Sequence, residues 1–205
     1  MKKTALSVAI LALGGMAYSG AQAADITYSW APIIETTTEI AQDSGGSLGL
    51  FDSDLGTLSQ VFVDIAGSAT TVITLINDAT QAQTVSATSV VNLIFNSTAA
   101  PLPAAAPNPL VIELSTGFQS IASGATYTSP ELSAMVFGSA TYTDAGDLAA
   151  FQAPGGGALV MDCESLSGLN VLGGGGNVTA SQTTTAGCAA DVTYVYEPAT
   201  IPPTP

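Results

Sequence analysis

The sequence has almost no positive charge. Its 205 residues include two Lys or Arg residues, no His, and sixteen Asp or Glu residues. The two basic residues are Lys2 and Lys3, at the start of the chain. Proteins bind the phosphates of nucleic acids through Lys and Arg side chains. The rest of the chain has none, so we expect no nucleic-acid partner.

The absence of His removes the usual general base of hydrolases. A Ser-His-Asp or Cys-His mechanism requires an imidazole, and the common zinc sites need His or more thiols than the two Cys present. Carboxylates are the remaining groups with catalytic potential. A glycosidase needs two of them facing each other across a sugar, but sixteen acids offer many pairs without a specific pattern. We therefore predict that the protein is not an enzyme.

Long apolar runs are also lacking, except at the N-terminus. Lys2 and Lys3 precede the apolar stretch "TALSVAILALGGMA", and Ala21 and Ala23 form the A-x-A pattern of a signal-peptidase site. Glycines interrupt this stretch below the length of about 20 residues that a membrane span needs. We expect residues 1–23 to be a cleaved signal peptide. The mature protein would then be secreted, extracellular or at the cell surface, without a transmembrane anchor.

Charged residues are sparse, and the composition is not that of a disordered acidic chain. They make up 9% of the sequence, whereas hydrophobic residues make up 47%. Helical periodicity is nearly absent, and apolar residues alternate with polar ones, as in strands with one buried face. Positions expected to be buried include Val61, Val63, Ile65, Val91, Leu93, Val192 and Tyr194.

About ten such short strands are separated by clusters of Gly, Pro, Asn and Asp. This organisation predicts an all-β fold, an antiparallel β-sandwich of jelly-roll-like type, in a single domain over residues 24–197. The Gly clusters "APGGGA" and "LGGGGN" are predicted turns. One short helix is predicted in "TDAGDLAAF", and residues 198–205 form a Pro-rich tail that cannot extend a sheet.

The two cysteines are Cys163 and Cys188. In an oxidising compartment a disulfide between them is the default expectation, and the alternative is a pair of buried free thiols. Their flanking sequences resemble adjoining strands, but the sequence does not show whether their Cβ atoms face each other.

Four carboxylates have spacing suited to a calcium site. Asp52 and Asp54 form one pair, and Asp144 and Asp147 form a second in "DAGD". Calcium prefers oxygen ligands, but the EF-hand pattern does not continue after either pair. Asp also favours turns, because its side chain bonds nearby backbone N–H groups. Calcium binding and turn formation are therefore both open for these residues, with no other cofactor predicted.

Two long segments resemble the choice-of-anchor E domain, which is found in exported bacterial proteins. The first is "LFDSDLGTLSQVFVDIAGSATTVITLIND", with Phe-Asp followed by Leu-Gly-Thr-Leu and alternating strands. The second includes "DLAAF", "GGGNVT" and the closing "VTYVYEP". The resemblance spans roughly residues 48–198. It identifies the Asp52–Asp54 pair as part of a turn at the start of the family domain.

Such domains often end in a PEP-CTERM sorting signal, and "YEPAT" resembles part of one, although "IPPTP" replaces its membrane span and basic tail. PEP-CTERM proteins are associated with exopolysaccharide and biofilm matrix, and the resemblance brings no enzymatic activity with it. The resemblance therefore implies a non-catalytic exported structural or surface protein of such a matrix. Its partners would be extracellular polysaccharide or further copies bound through sheet edges. The alternative is a carbohydrate-binding module that binds sugar with or without the assistance of calcium. Exposed aromatic rings would be the clue to such a module.

Overall fold

A computed structural model describes residues 22–30, 33–40, 45–97 and 108–200. Residues 1–21 of the predicted signal peptide and the last five residues of the Pro-rich tail lie outside the described residues. The described chain forms an all-β sandwich with one short helix, α1 (Ala145–Ala150). Its strands are β1 (Ala24–Ser29), β2 (Ile33–Thr37), β3 (Gly45–Asp52), β4 (Gly56–Asn77), β5 (Gln83–Ser97), β6 (Leu110–Ser115), β7 (Gln119–Ile121), β8 (Thr126–Thr128), β9 (Leu132–Tyr142), β10 (Gln152–Ala153), β11 (Gly157–Gly173) and β12 (Val178–Pro198).

The first sheet is built around the long antiparallel pair β4 and β12. The outer edge of β12 pairs with β1 and β2, and the outer edge of β4 pairs with β8 and β9. All these pairings are antiparallel. This sheet carries the groove described below.

The second sheet has the order β10, β3, β11, β5 and β6, with β7 also on β5. Its pairings are antiparallel except for the two-residue parallel contact between β10 and β3. The connections β4–β5 and β11–β12 each cross from one sheet to the other. The second crossing uses the predicted Gly turn, where Gly173 to Gly176 all have positive φ, a conformation that costs Gly no steric strain.

The buried faces are those predicted from the alternation. All seven predicted positions are at most 3% exposed, and they contact one another within one large cluster between the sheets. Each fully buried aliphatic or aromatic side chain contributes about 1.5–3 kcal/mol relative to exposure. Hydrophobic burial between two sheets therefore holds the fold together, and the sandwich prediction is confirmed.

The strands β4 and β12 are each longer than the sequence predicts. The alternation predicts separate strands in "TLSQVFVDIA" and "ATTVITLI", which form the single strand β4. It likewise predicts separate strands in "NVTASQTTT" and "CAADVTYVYE", which form β12. Gly67 and Gly187 lie between these predicted segments and pair within the sheet. A Cβ on Gly67 would overlap the Leu93 side chain of the opposite sheet. Gly67 therefore allows close packing of the sheets and does not form a turn.

The predicted disulfide between Cys163 and Cys188 is confirmed. Cys163 lies on β11 in the second sheet, and Cys188 lies on β12 in the first. Both are buried, so the bond crosses the core and covalently joins the two sheets.

Trp30 packs against a glycine of the neighbouring sheet. A Cβ on Gly46 would overlap the indole ring, and this ring is only 5% exposed. We expect Gly46→Ala to lower the free energy of unfolding by about 1–3 kcal/mol, the usual cost of overpacking. Because Trp30 is the only tryptophan, its displacement should shift the fluorescence emission to longer wavelength.

The matched control is Gly168→Ala, since no atom lies within 4 Å of a Cβ at that strand position. Urea unfolding of both variants measures the difference. Equal stability of the Gly46 and Gly168 variants would show that the Trp30 contact does not constrain the sandwich.

Candidate functional site

The first predicted carboxylate pair lies in a turn. Asp52 ends β3 and caps the 3-10 turn Ser53–Leu55. Its Oδ1 accepts hydrogen bonds from the backbone N–H of Asp54 at 2.9 Å and of Gly155 at 2.8 Å. The carboxylate thus ties its own turn to the turn before β11. This is the turn chemistry expected of Asp, while calcium binding at Asp52 and Asp54 stays a prediction.

The second predicted pair begins the short helix, which confirms the helix prediction. Asp144 occupies the N-cap position of α1 without a side-chain capping bond, and Asp147 lies in the first turn. Negative charge at a helix N-terminus is favourable. In the described part of the chain, no group of three or more His, Cys, Asp or Glu side chains is arranged to hold a metal. The structure therefore does not bring the two predicted pairs together as a calcium site.

A groove of about 380 Å³ lies on the outer face of the first sheet. Its floor follows the cross-strand register, in which Phe137 of β9 lies opposite Ala66 of β4, and Ala66 lies opposite Ala189 of β12. The two alanines have short side chains, so the space above them is open. Directly opposite residues on one sheet face have Cβ atoms about 5 Å apart, which places the Phe137 ring beside this space.

Two carboxylates stand at one end of this groove. Asp64 of β4 lies directly opposite Asp191 of β12, and Ser139 of β9 lies opposite Asp64 on its other side. All three side chains are exposed and line the groove. Like charges directly opposite each other in a sheet are destabilising. The chain beyond Lys3 has no Lys, Arg or His to compensate them.

Apolar side chains stand along the β9 side of the groove. Phe137 is 71% exposed and Met135 is 64% exposed. Met135 borders a smaller groove of about 120 Å³, which shares Ala66 and Ala189 with the first and continues towards Gly187. The outer face of this sheet therefore combines exposed apolar surface, a floor of small residues and a pair of carboxylates. We call this combined surface the sheet groove.

Glu35 of β2 lies on the same outer face, but its carboxylate already accepts hydrogen bonds from neighbouring side chains. The Thr185 hydroxyl donates to its Oε2 at 2.8 Å. Burial by itself would raise the pKa of Glu35, but hydrogen bonds from Ser68, Thr185 and Thr70 outweigh it and hold the pKa below its usual value. Glu35 is therefore a structural acceptor and not a free ligand group.

A second, polar groove of about 340 Å³ lies between the sheets, beside Thr38, Ser167 and Thr184. Three of its hydroxyls already have partners, and the Thr184 hydroxyl lies 2.8 Å from that of Thr71. The Thr38 and Ser167 oxygens are 3.0 Å apart, and Ser167 N–H donates to a Glu39 carboxylate oxygen at 2.9 Å. The described residues that line this groove include no exposed aromatic ring, so the sheet groove is the better candidate for a sugar.

No sequence pattern marks Asp64 or Asp191 as a site residue. Each is an acid at an outward position within an otherwise alternating strand, and that feature marks both as surface residues. Their pairing across 127 positions follows from the register of β4 with β12. Exposed aromatic rings are the expected clue to carbohydrate binding, and Phe137 fits that description.

No membrane-spanning stretch of apolar helix occurs in the described ranges. No protein-family model and no curated protein matches the chain. Among solved structures, one of mud crab tombus-like virus has 10% identity, covers 98% of this chain and 94% of that chain, and has a TM-score of 0.20. One of infectious bursal disease virus, Gx strain, has 13% identity, covers 87% of this chain and 43% of that chain, and has a TM-score of 0.16. Similarities this low carry no argument about function.

Proposed function

We propose that the protein is a non-catalytic, exported protein of an extracellular polysaccharide matrix, and that it holds the polysaccharide through the sheet groove. The observation that carries the proposal is the exposed Phe137 ring beside Asp64 and Asp191 above a floor of alanines. The resemblance to the choice-of-anchor E family and the expected signal peptide support the extracellular setting.

The groove offers the two kinds of contact that a sugar needs. A pyranose ring has an apolar face of C–H groups, which can pack on an aromatic ring, and hydroxyls at its rim. Exposed Phe137 and Met135 supply the apolar surface. The Asp64 and Asp191 carboxylates accept hydrogen bonds, and the Ser139 hydroxyl can donate or accept one. Matrix protein and carbohydrate-binding module are then one function, because polysaccharide binding is what places the protein in the matrix.

Exposure of the two carboxylates supports a binding function over a catalytic one. Asp64 and Asp191 are both exposed and project side by side from one face of the sheet. A glycosidase needs a general acid whose surroundings keep it protonated near neutral pH, usually through burial, and a second carboxylate across the sugar. Neither feature belongs to an open groove on one sheet face.

Self-association through sheet edges is the second partner that we propose. In the described structure β9 is an edge strand that pairs with β4 along one side. Natural edge strands are commonly protected by Lys. This chain has no Lys after Lys3. Its negative charge opposes association at neutral pH, so edge pairing would require a bridging partner such as the polysaccharide.

We expect Phe137→Ala to weaken polysaccharide binding at least about tenfold, which corresponds to about 1.4 kcal/mol, because the variant removes the apolar surface on which the sugar packs. Affinity electrophoresis against neutral, aminated and anionic polysaccharides measures the effect. Phe137 is exposed, so the free energy of unfolding should stay within about 0.5 kcal/mol of the wild type.

Phe118→Ala is the matched control, since Phe118 is 64% exposed but lies outside the first sheet, between β6 and β7. This variant should bind like the wild type. The proposal fails if the wild type binds none of the three polysaccharide classes, or if both variants lose the same affinity.

A further inference from the structure

We propose that the sheet groove selects polysaccharides with protonated amino groups, such as de-N-acetylated hexosamine units, and that the ammonium group lies between Asp64 and Asp191. This inference rests on the proposed function and names its ligand class. The groove has an exposed aromatic wall, and charge complementarity selects its occupant.

The groove carries negative charge from two neighbouring carboxylates. Asp64 and Asp191 are directly opposite in the register of β4 and β12, which costs free energy through repulsion. The described chain has no cationic side chain that could stand between them, because its only basic residues are Lys2 and Lys3. A ligand ammonium group would remove the repulsion and gain two charge-assisted hydrogen bonds. A neutral sugar would gain only ordinary hydrogen bonds, and an anionic sugar would add repulsion.

The ligand set favours an organic cation over a metal ion. Calcium takes six to eight oxygen ligands, usually several of them carboxylates. Here the row contains two carboxylates and the Ser139 hydroxyl, and no third acidic group joins them in the described residues. An ammonium group needs about three acceptors, which this row provides.

The position of Phe137 connects the cation to a sugar ring. Phe137 lies two residues before Ser139 on β9, which makes it the diagonal neighbour of Asp64. Diagonal neighbours in a sheet are about 7–8 Å apart. A hexosamine ring packed on Phe137 can therefore direct its amino group towards the carboxylates. The aromatic face also attracts a nearby cation. The two contacts are thus made by one sugar unit.

The test uses short oligosaccharides, because a long polycation would bind any acidic protein. The glucosamine trisaccharide and its fully N-acetylated counterpart have the same rings and differ in charge. Binding is followed by amide chemical-shift changes at pH 6 in low salt. We expect the glucosamine trisaccharide to bind at least about tenfold more tightly, with shifts centred on Ala66, Phe137 and Ala189.

Asp64→Asn and Asp191→Asn should each reduce the affinity for the glucosamine trisaccharide about tenfold. They should reduce the weak affinity for the acetylated trisaccharide by less, because the amide oxygen still accepts a hydrogen bond from a sugar hydroxyl. Both residues are exposed, so the variants should fold, and either one suffices for the test. Glu113→Gln is the matched control, because Glu113 is exposed on β6 of the other sheet and its loss changes net charge equally. That variant should bind like the wild type.

The outcomes separate this inference from the proposed function. Equal binding of both trisaccharides, with loss of both in Phe137→Ala, would overturn the ammonium assignment and leave polysaccharide binding intact. Equal weakening by Glu113→Gln and Asp64→Asn would also overturn it, since the attraction would then be unspecific. Calcium binding at Asp64 and Asp191 that a chelator reverses would assign the carboxylates to a metal instead. If neither trisaccharide nor any matrix polysaccharide binds, both proposals fail.

Discussion

Replacement of both cysteines by alanine is expected to lower the free energy of unfolding by about 3 kcal/mol, the chain-entropy value for a bridge of this span. The disulfide links Cys163 and Cys188 across 25 positions. It is also the one covalent connection between the two sheets in the described structure besides the chain itself. Urea unfolding of the oxidised wild type and the Cys163→Ala/Cys188→Ala variant measures the loss.

Reduction should be slow in the folded protein and fast in urea. Cys163 is fully buried and Cys188 is 3% exposed, so a reductant reaches the sulfurs only when the sheets separate. The rate of thiol release should therefore follow the unfolding rate. Rapid reduction under native conditions, or an unfolding free energy of the alanine variant equal to that of the wild type, would show that the bridge does not hold the sheets together.

Local sequence patterns were sufficient to predict the layer structure. Alternation at Val61, Val63 and Ile65 marked one buried face of β4, and that face is buried between the sheets. The two cysteines, in a chain expected to be exported, predicted the disulfide. These predictions succeed because side-chain alternation and cysteine number are properties of short segments, which need no knowledge of the partner strand.

The candidate site could not be predicted in the same way, because it depends on register. Asp64 and Asp191 meet through the pairing of β4 with β12, and Phe137 joins them through the pairing of β4 with β9. A shift of one residue in either pairing would move these side chains to the opposite face. The sequence also predicts two strands on either side of Gly67, whereas this glycine allows sheet packing near Leu93 and does not form a turn.

The second large effect is expected at alkaline pH, where two buried phenols should make the fold unstable. Burial raises the pKa of Tyr142 to about 12, and the nearby Asp147 charge adds to the shift. Burial also raises the pKa of Tyr194, with a smaller effect of Tyr28. The Tyr194 hydroxyl donates to the Gly49 carbonyl at 2.8 Å. Both phenols are therefore held in the neutral form by the folded protein.

The direction of the pH effect follows from linkage. An unfolded tyrosine has a pKa near 10, so the stability contributed by the raised pKa is fully present below about pH 10. It is lost as pH rises towards the folded pKa, because the unfolded state releases the proton more readily. For Tyr142 the loss is at most about 2 kcal/mol at pH 12, because the folded phenol is itself half ionised at its pKa. Tyr194 adds to this loss with the same sign.

This alkaline transition can be assigned to tyrosines with unusual clarity. Apart from Lys2 and Lys3 the chain has no lysine, no His and no free thiol in the described structure, so few other side chains release protons between pH 10 and 12. We expect phenolate absorbance to rise in two stages. The second stage should coincide with loss of the near-UV circular dichroism signal, because buried Tyr142 and Tyr194 release their protons more readily in the unfolded state.

Two phenylalanine variants assign the second stage to particular residues. Tyr142→Phe and Tyr194→Phe should each move the unfolding transition to higher pH, since each removes a phenol whose proton release drives unfolding. The Tyr194 variant should also lose about 1 kcal/mol at pH 7, because the Gly49 carbonyl loses its donor. Tyr127→Phe, which removes a half-buried phenol on β8, serves as the comparison. If all three variants unfold at the wild-type pH, repulsion among the sixteen carboxylates and the new phenolates causes the transition, and the burial of these two hydroxyls does not.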